Sequence, residues 1–332
     1  MNLYPWQQPS WQQLQSYVVQ KRVPQALLIN GTLGIGKQQL AEQFAYALLC
    51  ETPKIDGISC KQCSSCLLIK AQTHPDFMVV EPEEDVKTKK TKTSIGIDQI
   101  RSLMDKLSLK PQFDRYRVVL IQPADALNNA AANAFLKYLE EPTERTVLIL
   151  LTHRMNKLPA TIKSRCQKFT LPLPDESLVM PWLEKQLAGS KEARVVLNLA
   201  QGAPLLAMKY ASDVHLAQRQ ECFNAWLSVA SQQHHPVVVA EQWVKLPDTT
   251  LLFWLNSWVI DVMRYRYQAM PKNVYHTDFK VPLHEIAQRI NILKLYDFYD
   301  LLLKSRGRLE TPINKQALWE EILIAWARLN RE

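Results

Sequence analysis

A glycine-rich stretch beginning at Gly31 has the residues of a phosphate-binding loop. It reads Gly-Thr-Leu-Gly-Ile-Gly-Lys-Gln and matches the pattern Gly-x-x-x-x-Gly-Lys-[Ser/Thr] except at its last position. In this pattern, glycines let backbone N–H groups surround phosphate oxygens, the lysine contacts the β and γ phosphates, and the hydroxyl binds Mg²⁺. The candidate phosphate-binding residues are Gly31, Gly34, Gly36 and Lys37. Gln38 stands in place of the hydroxyl, so the sequence leaves open whether a nucleotide binds here.

The side chains that would hydrolyse a bound nucleotide are missing. A carboxamide such as that of Gln38 is a poor ligand for Mg²⁺. In phosphate-loop enzymes, a later buried strand ends in an aspartate for the metal, commonly with a glutamate that orients the attacking water. Here the apolar strand Arg117–Ile121 is followed by Gln122 and Pro123. We therefore expect no ATP hydrolysis by this chain alone; the alternative is an ATPase or kinase that uses Lys37 with unusual metal ligands.

Four cysteines follow the phosphate loop at the spacing of a metal site. The cysteines are Cys50, Cys60, Cys63 and Cys66. Four thiolates can surround one ion tetrahedrally, and a Cys-x-x-Cys turn directs two sulfur atoms toward it. We predict a structural Zn²⁺ site, which has no open coordination position and therefore stabilises the fold without catalysing a reaction. An iron–sulfur cluster is the alternative, although the cysteine–proline pair that usually supplies its fourth ligand is absent.

These candidate residues lie next to short apolar runs that predict strands alternating with helices. The predicted strands are residues 26–29, Phe77–Val80, Arg117–Ile121 and 146–151, and the predicted helices are 39–49 and 128–141. The phosphate loop joins the first strand to the first helix, which is the context that its chemistry requires. Residues 169–174 predict an extended, proline-containing hinge. Beyond residue 175, apolar residues recur at helical spacing and predict an all-helical second half.

The net charge and the lack of targeting segments limit the possible functions. A formal charge of +8 allows contact with nucleic acid, and a zinc-containing nucleic-acid-binding module is a further alternative. Residues 83–93 contain four lysines and predict a surface loop. No apolar run reaches the ~18 residues of a membrane span, and the first residues lack a secretory signal. We therefore expect a cytoplasmic protein with reduced cysteines and no membrane partner.

Two further motifs connect the chain to a known family. Residues 133–142 read Asn-Ala-Phe-Leu-Lys-Tyr-Leu-Glu-Glu-Pro, and Leu-Pro-Ala-Thr-Ile at 158–162 precedes Ser164, Arg165 and Cys166. In this order the motifs resemble the clamp-loader branch of the AAA+ ATPases. The four cysteines after the phosphate-loop helix resemble the zinc module of bacterial clamp-loader subunits. Together these motifs cover about the first half of the chain.

The resemblance implies three domains. Residues 1–167 would form an α/β AAA+ core, a parallel sheet flanked by helices, with the zinc module inserted at 50–66. Residues 168–208 would form a small helical lid domain, and residues 209–332 an all-α C-terminal collar domain for oligomerisation. Leu205 stands where ATP-hydrolysing relatives carry a lid arginine that touches the γ-phosphate, which is a further departure from the active pattern.

The resemblance also implies a role beside an active subunit. In this family the arginine of Ser-Arg-Cys, here Arg165, projects into the ATP site of a neighbouring gamma/tau subunit, with Ser164 and Cys166 as its motif neighbours. The implied partners are the gamma/tau and delta subunits of a hetero-pentamer and, through that complex, the sliding clamp and primed DNA. The chain would thus belong to a replicative polymerase holoenzyme without synthesising DNA itself. A guanidinium suits this role because it is planar, permanently charged and able to donate two hydrogen bonds to phosphate oxygens.

Overall fold

The computed structural model describes most of the chain and divides it into two units. The described residues are 3–20, 22–83, 94–187, 193–268, 271, 274–309 and 311–331. The first unit is Met1–Trp182 and the second is Leu183–Glu332. Residues 84–93, which contain the lysines of the predicted surface loop, lie outside the described part. The division into three domains stays a prediction.

Within the described residues, the apolar runs of the first unit form a five-stranded parallel sheet. The strands are β1 (Ala26–Asn30), β2 (Phe77–Val80), β3 (Arg117–Ile121), β4 (Thr146–Thr152) and β5 (Gln167–Thr170). Their order is β2-β3-β4-β1-β5, so β1 lies between β4 and β5. The four pairings are parallel, and β3 and β4 are buried along their whole length. The predicted parallel α/β core is therefore confirmed.

Helices cover both faces of this sheet. The helices of this unit are α1 (Gln8–Val19), α2 (Lys37–Leu49), α3 (Ser64–Lys70), α4 (Ile97–Ser108), α5 (Asn129–Glu140), α6 (Ala160–Arg165) and the start of α7 (Glu176–Gln186). Apolar residues of α4, α5 and α6 share a buried cluster with Leu28 and other residues of one sheet face. The alternate residues Leu27 and Ile29 are also fully buried, and α2 packs against β1, β3 and β4. Burial on both faces explains why these strands read as continuous apolar runs.

The edge strand β5 is not among the strands that the sequence predicts. Residues 169–174 are predicted as an extended hinge, whereas Gln167–Thr170 pair with β1. Phe169 is the one buried residue of this strand. Because an edge strand has one unpaired side, it tolerates polar residues such as Lys168 and lacks the apolar run that identifies the other strands.

The second unit is helical, as predicted. After α7 its helices are α8 (Ala193–Leu199), α9 (Pro204–Tyr210), α10 (Asp213–Ala230), α11 (Pro236–Trp243), α12 (Asp248–Tyr267), α13 (Lys280–Arg289), α14 (Ile292–Arg308) and α15 (Lys315–Leu329). Its core includes Trp226 of α10, which stacks on Trp326 of α15 with ring centroids 4.1 Å apart. None of the described helices combines the length and the apolar run that a bilayer crossing requires.

A buried histidine joins three parts of the second unit. Arg219 Nη1 donates to His276 Nδ1 at 2.8 Å, and His276 Nε2 lies 2.8 Å from Ser257 Oγ. Since arginine can only donate, Nδ1 accepts and Nε2 carries the proton. Burial, helped by the nearby Arg219 charge, holds the pKa of His276 well below its usual value. This histidine is therefore neutral in the folded protein at neutral pH.

Candidate functional site

The phosphate loop lies at the carboxyl end of β1 and leads directly into α2. Gly34 and Gly36 have φ angles of 82° and 88°, in the left-handed region that other residues rarely adopt. A Cβ atom on Gly31 would lie 2.8 Å from the backbone oxygen of Leu171, so this position also requires glycine. The glycines thus form the loop that the sequence predicts, with Gly36 as the N-cap of α2.

Lys37 makes hydrogen bonds within the loop. Its Nζ atom donates to the carbonyl oxygens of Gly31 at 2.8 Å and Thr32 at 2.7 Å. The residue is buried, and burial lowers the pKa of its amine to about 8, although the negative charge of Asp125 opposes this shift. Two of the three N–H donors of this amine are therefore paired with backbone oxygens of its own loop.

The N-terminal segment covers the same loop. Trp6 Nε1 donates to the Ile35 carbonyl at 2.9 Å, and Gln7 Nε2 donates to the Gly36 carbonyl at 2.6 Å. The ring of Tyr4 stacks on that of Trp6, with centroids 4.8 Å apart. Trp6, Gln7 and Ile35 are buried. These contacts hold the N-terminal segment against carbonyl groups of the phosphate loop.

The two glutamines that replace metal-binding groups have other partners. Gln38 Nε2 donates to Glu42 Oε1 at 2.9 Å on the exposed side of α2. Gln122, after β3, donates its amide N–H to the carboxylate of Glu81. Each amide nitrogen is thus paired with a glutamate carboxylate.

Asp125 is a carboxylate of this region that the sequence interpretation missed. Its side chain is fully buried and accepts hydrogen bonds from Thr152 Oγ1 at 2.7 Å and Arg154 Nε at 2.8 Å. Burial alone would raise the pKa of Asp125, but these hydrogen bonds outweigh burial and the pKa is lowered. Asp125 lies four residues beyond β3, whereas the metal aspartate of phosphate-loop enzymes stands at the end of the strand. Its oxygen atoms are already paired with donors of β4 and the following turn.

The four predicted metal ligands come together. The sulfur atoms of Cys50, Cys60, Cys63 and Cys66 lie within 4.8 Å of one another. Two of these pairs, Cys50 with Cys63 and Cys60 with Cys66, are 3.9 Å apart. A tetrahedral Zn²⁺ with Zn–S bonds of about 2.3 Å places its sulfur atoms about 3.8 Å apart. The cluster is therefore positioned to bind one metal ion.

Backbone N–H groups donate to two sulfur atoms of this cluster. Cys50 Sγ accepts from the Cys60 N–H at 3.2 Å, and Cys60 Sγ accepts from the Cys63 N–H at 3.3 Å. A hydrogen bond from the Thr52 side chain and two from the N–H groups of Gln62 and Cys63 lower the pKa of Cys60 to about 5. Such N–H groups favour the charged sulfur that a metal ion requires.

Buried polar contacts attach the cysteine module to the sheet. Ser65 Oγ donates to the Leu49 carbonyl at 2.8 Å and also lies 2.8 Å from His74 Nε2. Arg115 Nη2 donates to the Cys50 carbonyl at 2.6 Å. His74 is buried and stands shortly before β2, so its contact with Ser65 joins the module to the start of that strand. The cysteine cluster is thus attached to the core of the first unit.

Arg165 lies at the end of α6 with its guanidinium at the surface. Its side chain is 35% exposed, and Nη2 lies 2.5 Å from Glu140 Oε1. Ser164 is also exposed, and its hydroxyl donates to the Thr161 carbonyl at 3.0 Å. Cys166 is buried, which raises the pKa of its thiol to about 11. The Ser-Arg-Cys motif therefore anchors one residue in the core and leaves its arginine accessible.

Comparison with known proteins places the chain in a family. A model described as "DNA polymerase III, delta subunit" matches residues 6–175, and one described as "DNA polymerase III, delta subunit, C terminal" matches residues 214–328. The chain is 34% identical to DNA polymerase III subunit delta' of Pseudomonas aeruginosa, over 99% of this chain and 98% of that protein. It is 30% identical to the Escherichia coli (strain K12) subunit of the same name, covering 98% and 95%.

A shorter similarity extends to another subunit type. The chain is 35% identical to DNA polymerase III subunit tau of Bacillus subtilis over 156 residues, which are 47% of this chain and 26% of that protein. The matches to delta' proteins, by contrast, run along nearly the whole length of both chains. This chain belongs to the family of DNA polymerase III delta' subunits.

Proposed function

We propose that this chain is a non-hydrolysing subunit of a clamp loader and supplies Arg165 to the ATP site of a neighbouring gamma/tau subunit. It braces a hetero-pentamer that contains gamma/tau and delta subunits and loads the sliding clamp onto primed DNA in the cytoplasm. One observation carries the proposal: a member of the delta' family presents an exposed arginine, while Gln38 in its own phosphate loop and Gln122 after β3 stand where a hydroxyl and a carboxylate would bind magnesium.

The position of Arg165 supports a role in trans. The guanidinium lies at the surface of the first unit and is therefore accessible to a second protein. The buried neighbour Cys166 and the short helix α6 fix its backbone. An arginine supplied from a neighbouring protein can be worth about 10³ to 10⁵ in the rate of phosphoryl transfer. The same residue used only as a surface ion pair would contribute about 0–1 kcal/mol to stability.

The state of the phosphate loop supports the absence of hydrolysis by this chain. Lys37 donates to loop carbonyls, and Gln7 occupies the Gly36 carbonyl. Gln38 and Gln122 replace the hydroxyl and the metal carboxylate and are paired with glutamates. A bound nucleotide would meet no hydroxyl or carboxylate ligand for magnesium at these two positions.

The four-cysteine module contributes stability in this proposal. We assign Zn²⁺ as its ion because four thiolates in tetrahedral arrangement are the usual donors of structural zinc. Four protein ligands leave no position for a water molecule or substrate, so the ion would hold the loop between α2 and α3 and would take no part in chemistry.

The test is reconstitution with gamma/tau and delta subunits of the same organism. Arg165→Ala should co-purify with both partners as the wild type does, and it should lower the DNA-stimulated ATPase activity of the complex. The matched control is Arg101→Ala, which removes an exposed arginine paired with Asp98 at 3.6 Å on the same unit. Equal ATPase activity of the two variants would contradict the proposal.

Measurements on the isolated chain separate the other two functions. ATP hydrolysis that needs Mg²⁺ and is lost in Lys37→Ala would indicate an autonomous ATPase. Tight DNA binding without partners, weakening steeply with salt, would indicate a zinc-containing nucleic-acid-binding module. The proposal predicts neither result.

A further inference from the structure

Glu140 and Thr161 hold the guanidinium of Arg165 at two of its nitrogen atoms. Nη2 lies 2.5 Å from Glu140 Oε1, and Nη1 donates to the Thr161 carbonyl at 3.0 Å. A guanidinium has five N–H groups in a rigid fork. Among the residues that the structure describes, these two are the acceptors found for it. Three N–H groups therefore remain for an anion outside the chain.

The fold fixes both ends of this ion pair. Glu140 is the last residue of α5, whose first turn is capped by Asn128 and whose Phe135 and Leu139 are buried in the core. Arg165 is the last residue of α6, and α6 packs against α5. The pair thus joins the carboxyl ends of two anchored helices, so the carboxylate limits the directions that the long arginine side chain can take.

The charge of Glu140 is locally unfavourable without its partner. The carboxyl end of a helix carries a partial negative charge, which disfavours an acidic residue and favours a basic one. Arg165 at the end of α6 gains from this effect, whereas Glu140 at the end of α5 does not. The positive charge of Arg165 offsets this unfavourable interaction of the Glu140 carboxylate. The ion pair is therefore kept at the water-exposed surface.

We propose that Glu140 is the positioning residue of the arginine finger. It holds Arg165 so that the free edge of the guanidinium points away from the chain, toward the triphosphate of a neighbouring subunit. Because the ion pair already restricts the arginine side chain, less conformational entropy is lost when the transition state forms. This inference rests on the proposed function of Arg165.

The experiment uses the reconstituted clamp-loader complex and its DNA-stimulated ATPase. Glu140→Ala should lower kcat about two- to fivefold, which corresponds to the energy of an exposed ion pair. The KM for ATP should not change, because the ion pair positions Arg165 for the transition state and not for ATP binding. Glu140→Gln keeps an acceptor oxygen and should retain more activity than Glu140→Ala. Glu141→Ala is the matched control, since no contact of its carboxylate is found within the described residues; its kcat should equal that of the wild type.

The double variant distinguishes a failure of the positioning role of Glu140 from a failure of the proposed function of Arg165. If Glu140 acts through Arg165, Arg165→Ala combined with Glu140→Ala is as slow as Arg165→Ala alone. A normal kcat for Glu140→Ala beside an impaired Arg165→Ala would overturn the positioning role and leave the proposed function standing. Additive losses, or a kcat raised by Glu140→Ala, would also overturn it. A normal Arg165→Ala would instead refute the proposed function, and the positioning role with it.

Discussion

Replacing Cys63 with serine tests the metal site while preserving the local fold. Cys63 is the N-cap of α3, where its sulfur accepts a hydrogen bond from the Cys66 N–H. Serine is itself a preferred N-cap residue. Cys63→Ser therefore removes a metal ligand and keeps the cap. We expect the wild-type protein to contain about one zinc ion per chain and the variant to contain almost none.

The loss of stability follows from the loop that the metal closes. Fifteen residues lie between Cys50 and Cys66, and a cross-link across a loop of this length contributes about 3 kcal/mol. In a unit of this size, each kcal/mol shifts Tm by about 2–4 °C. We therefore expect Cys63→Ser to unfold about 6–12 °C below the wild type.

Two measurements check this prediction. Metal content is determined on protein purified without chelators, and Tm is read from thermal unfolding followed by circular dichroism. Cys222→Ser is the control, because it replaces a buried thiol of α10 that is not among the four ligands. Its zinc content should be that of the wild type. Wild-type protein without zinc, or Cys63→Ser with full zinc and an unchanged Tm, would refute the assignment.

Two further predictions concern the phosphate loop and the buried histidine. Saturating Mg²⁺-ATP should leave the Tm of the isolated chain unchanged, and Gln38→Thr should still not hydrolyse ATP, because the metal carboxylate after β3 is also missing; measurable turnover by this variant would contradict that account. As pH falls below the ordinary histidine pKa of about 6.5, His276 binds a proton in the unfolded chain but not in the folded one, so the free energy of unfolding should decrease by up to about 1.4 kcal/mol per pH unit. Denaturant unfolding at pH 7 and pH 5 should show a smaller pH dependence for His276→Gln than for the wild type, and equal slopes would show that this histidine is not responsible.

The sequence predicts the elements of the first unit well because their signals are local. The predicted strands Phe77–Val80 and Arg117–Ile121 have the bounds that the structure gives, and the strand beginning at Ala26 ends one residue later than predicted. β1 and β3 are buried along nearly their whole length, and burial on both faces makes each a continuous apolar run whose bounds are visible in the sequence. β2 is less buried but is also a continuous apolar run. The edge strand β5 has a single buried residue and no such signal.

The contacts around the phosphate loop could not be predicted, because they join distant parts of the chain. The sequence shows that Gln38 and Gln122 replace the expected ligands, but it does not show that Gln7 reaches the Gly36 carbonyl 29 residues away. The hydrogen bonds of Asp125 cannot be read from the sequence, because its partners Thr152 and Arg154 lie at the end of β4 and in the turn after it. Side-chain contacts of this kind depend on tertiary packing, which residue spacing does not encode.

The surroundings of Arg165 were predicted in part. The Ser-Arg-Cys motif indicates the residue, and the structure adds that its guanidinium is exposed and paired with Glu140. Glu140 lies in the motif at residues 133–142 that supports the family resemblance. Its position in the sequence does not predict a contact with an arginine 25 residues later. The ion pair forms because the carboxyl ends of α5 and α6 lie close together in the folded chain.

The most direct test of the account is the rate at which the reconstituted complex loads clamps onto primed DNA when it contains Arg165→Ala. The account predicts a complex of normal composition that loads clamps at least about tenfold more slowly than the wild type, since a finger supplied in trans can be worth about 10³ to 10⁵ in rate. Clamp loading at the wild-type rate by a fully assembled Arg165→Ala complex would contradict it.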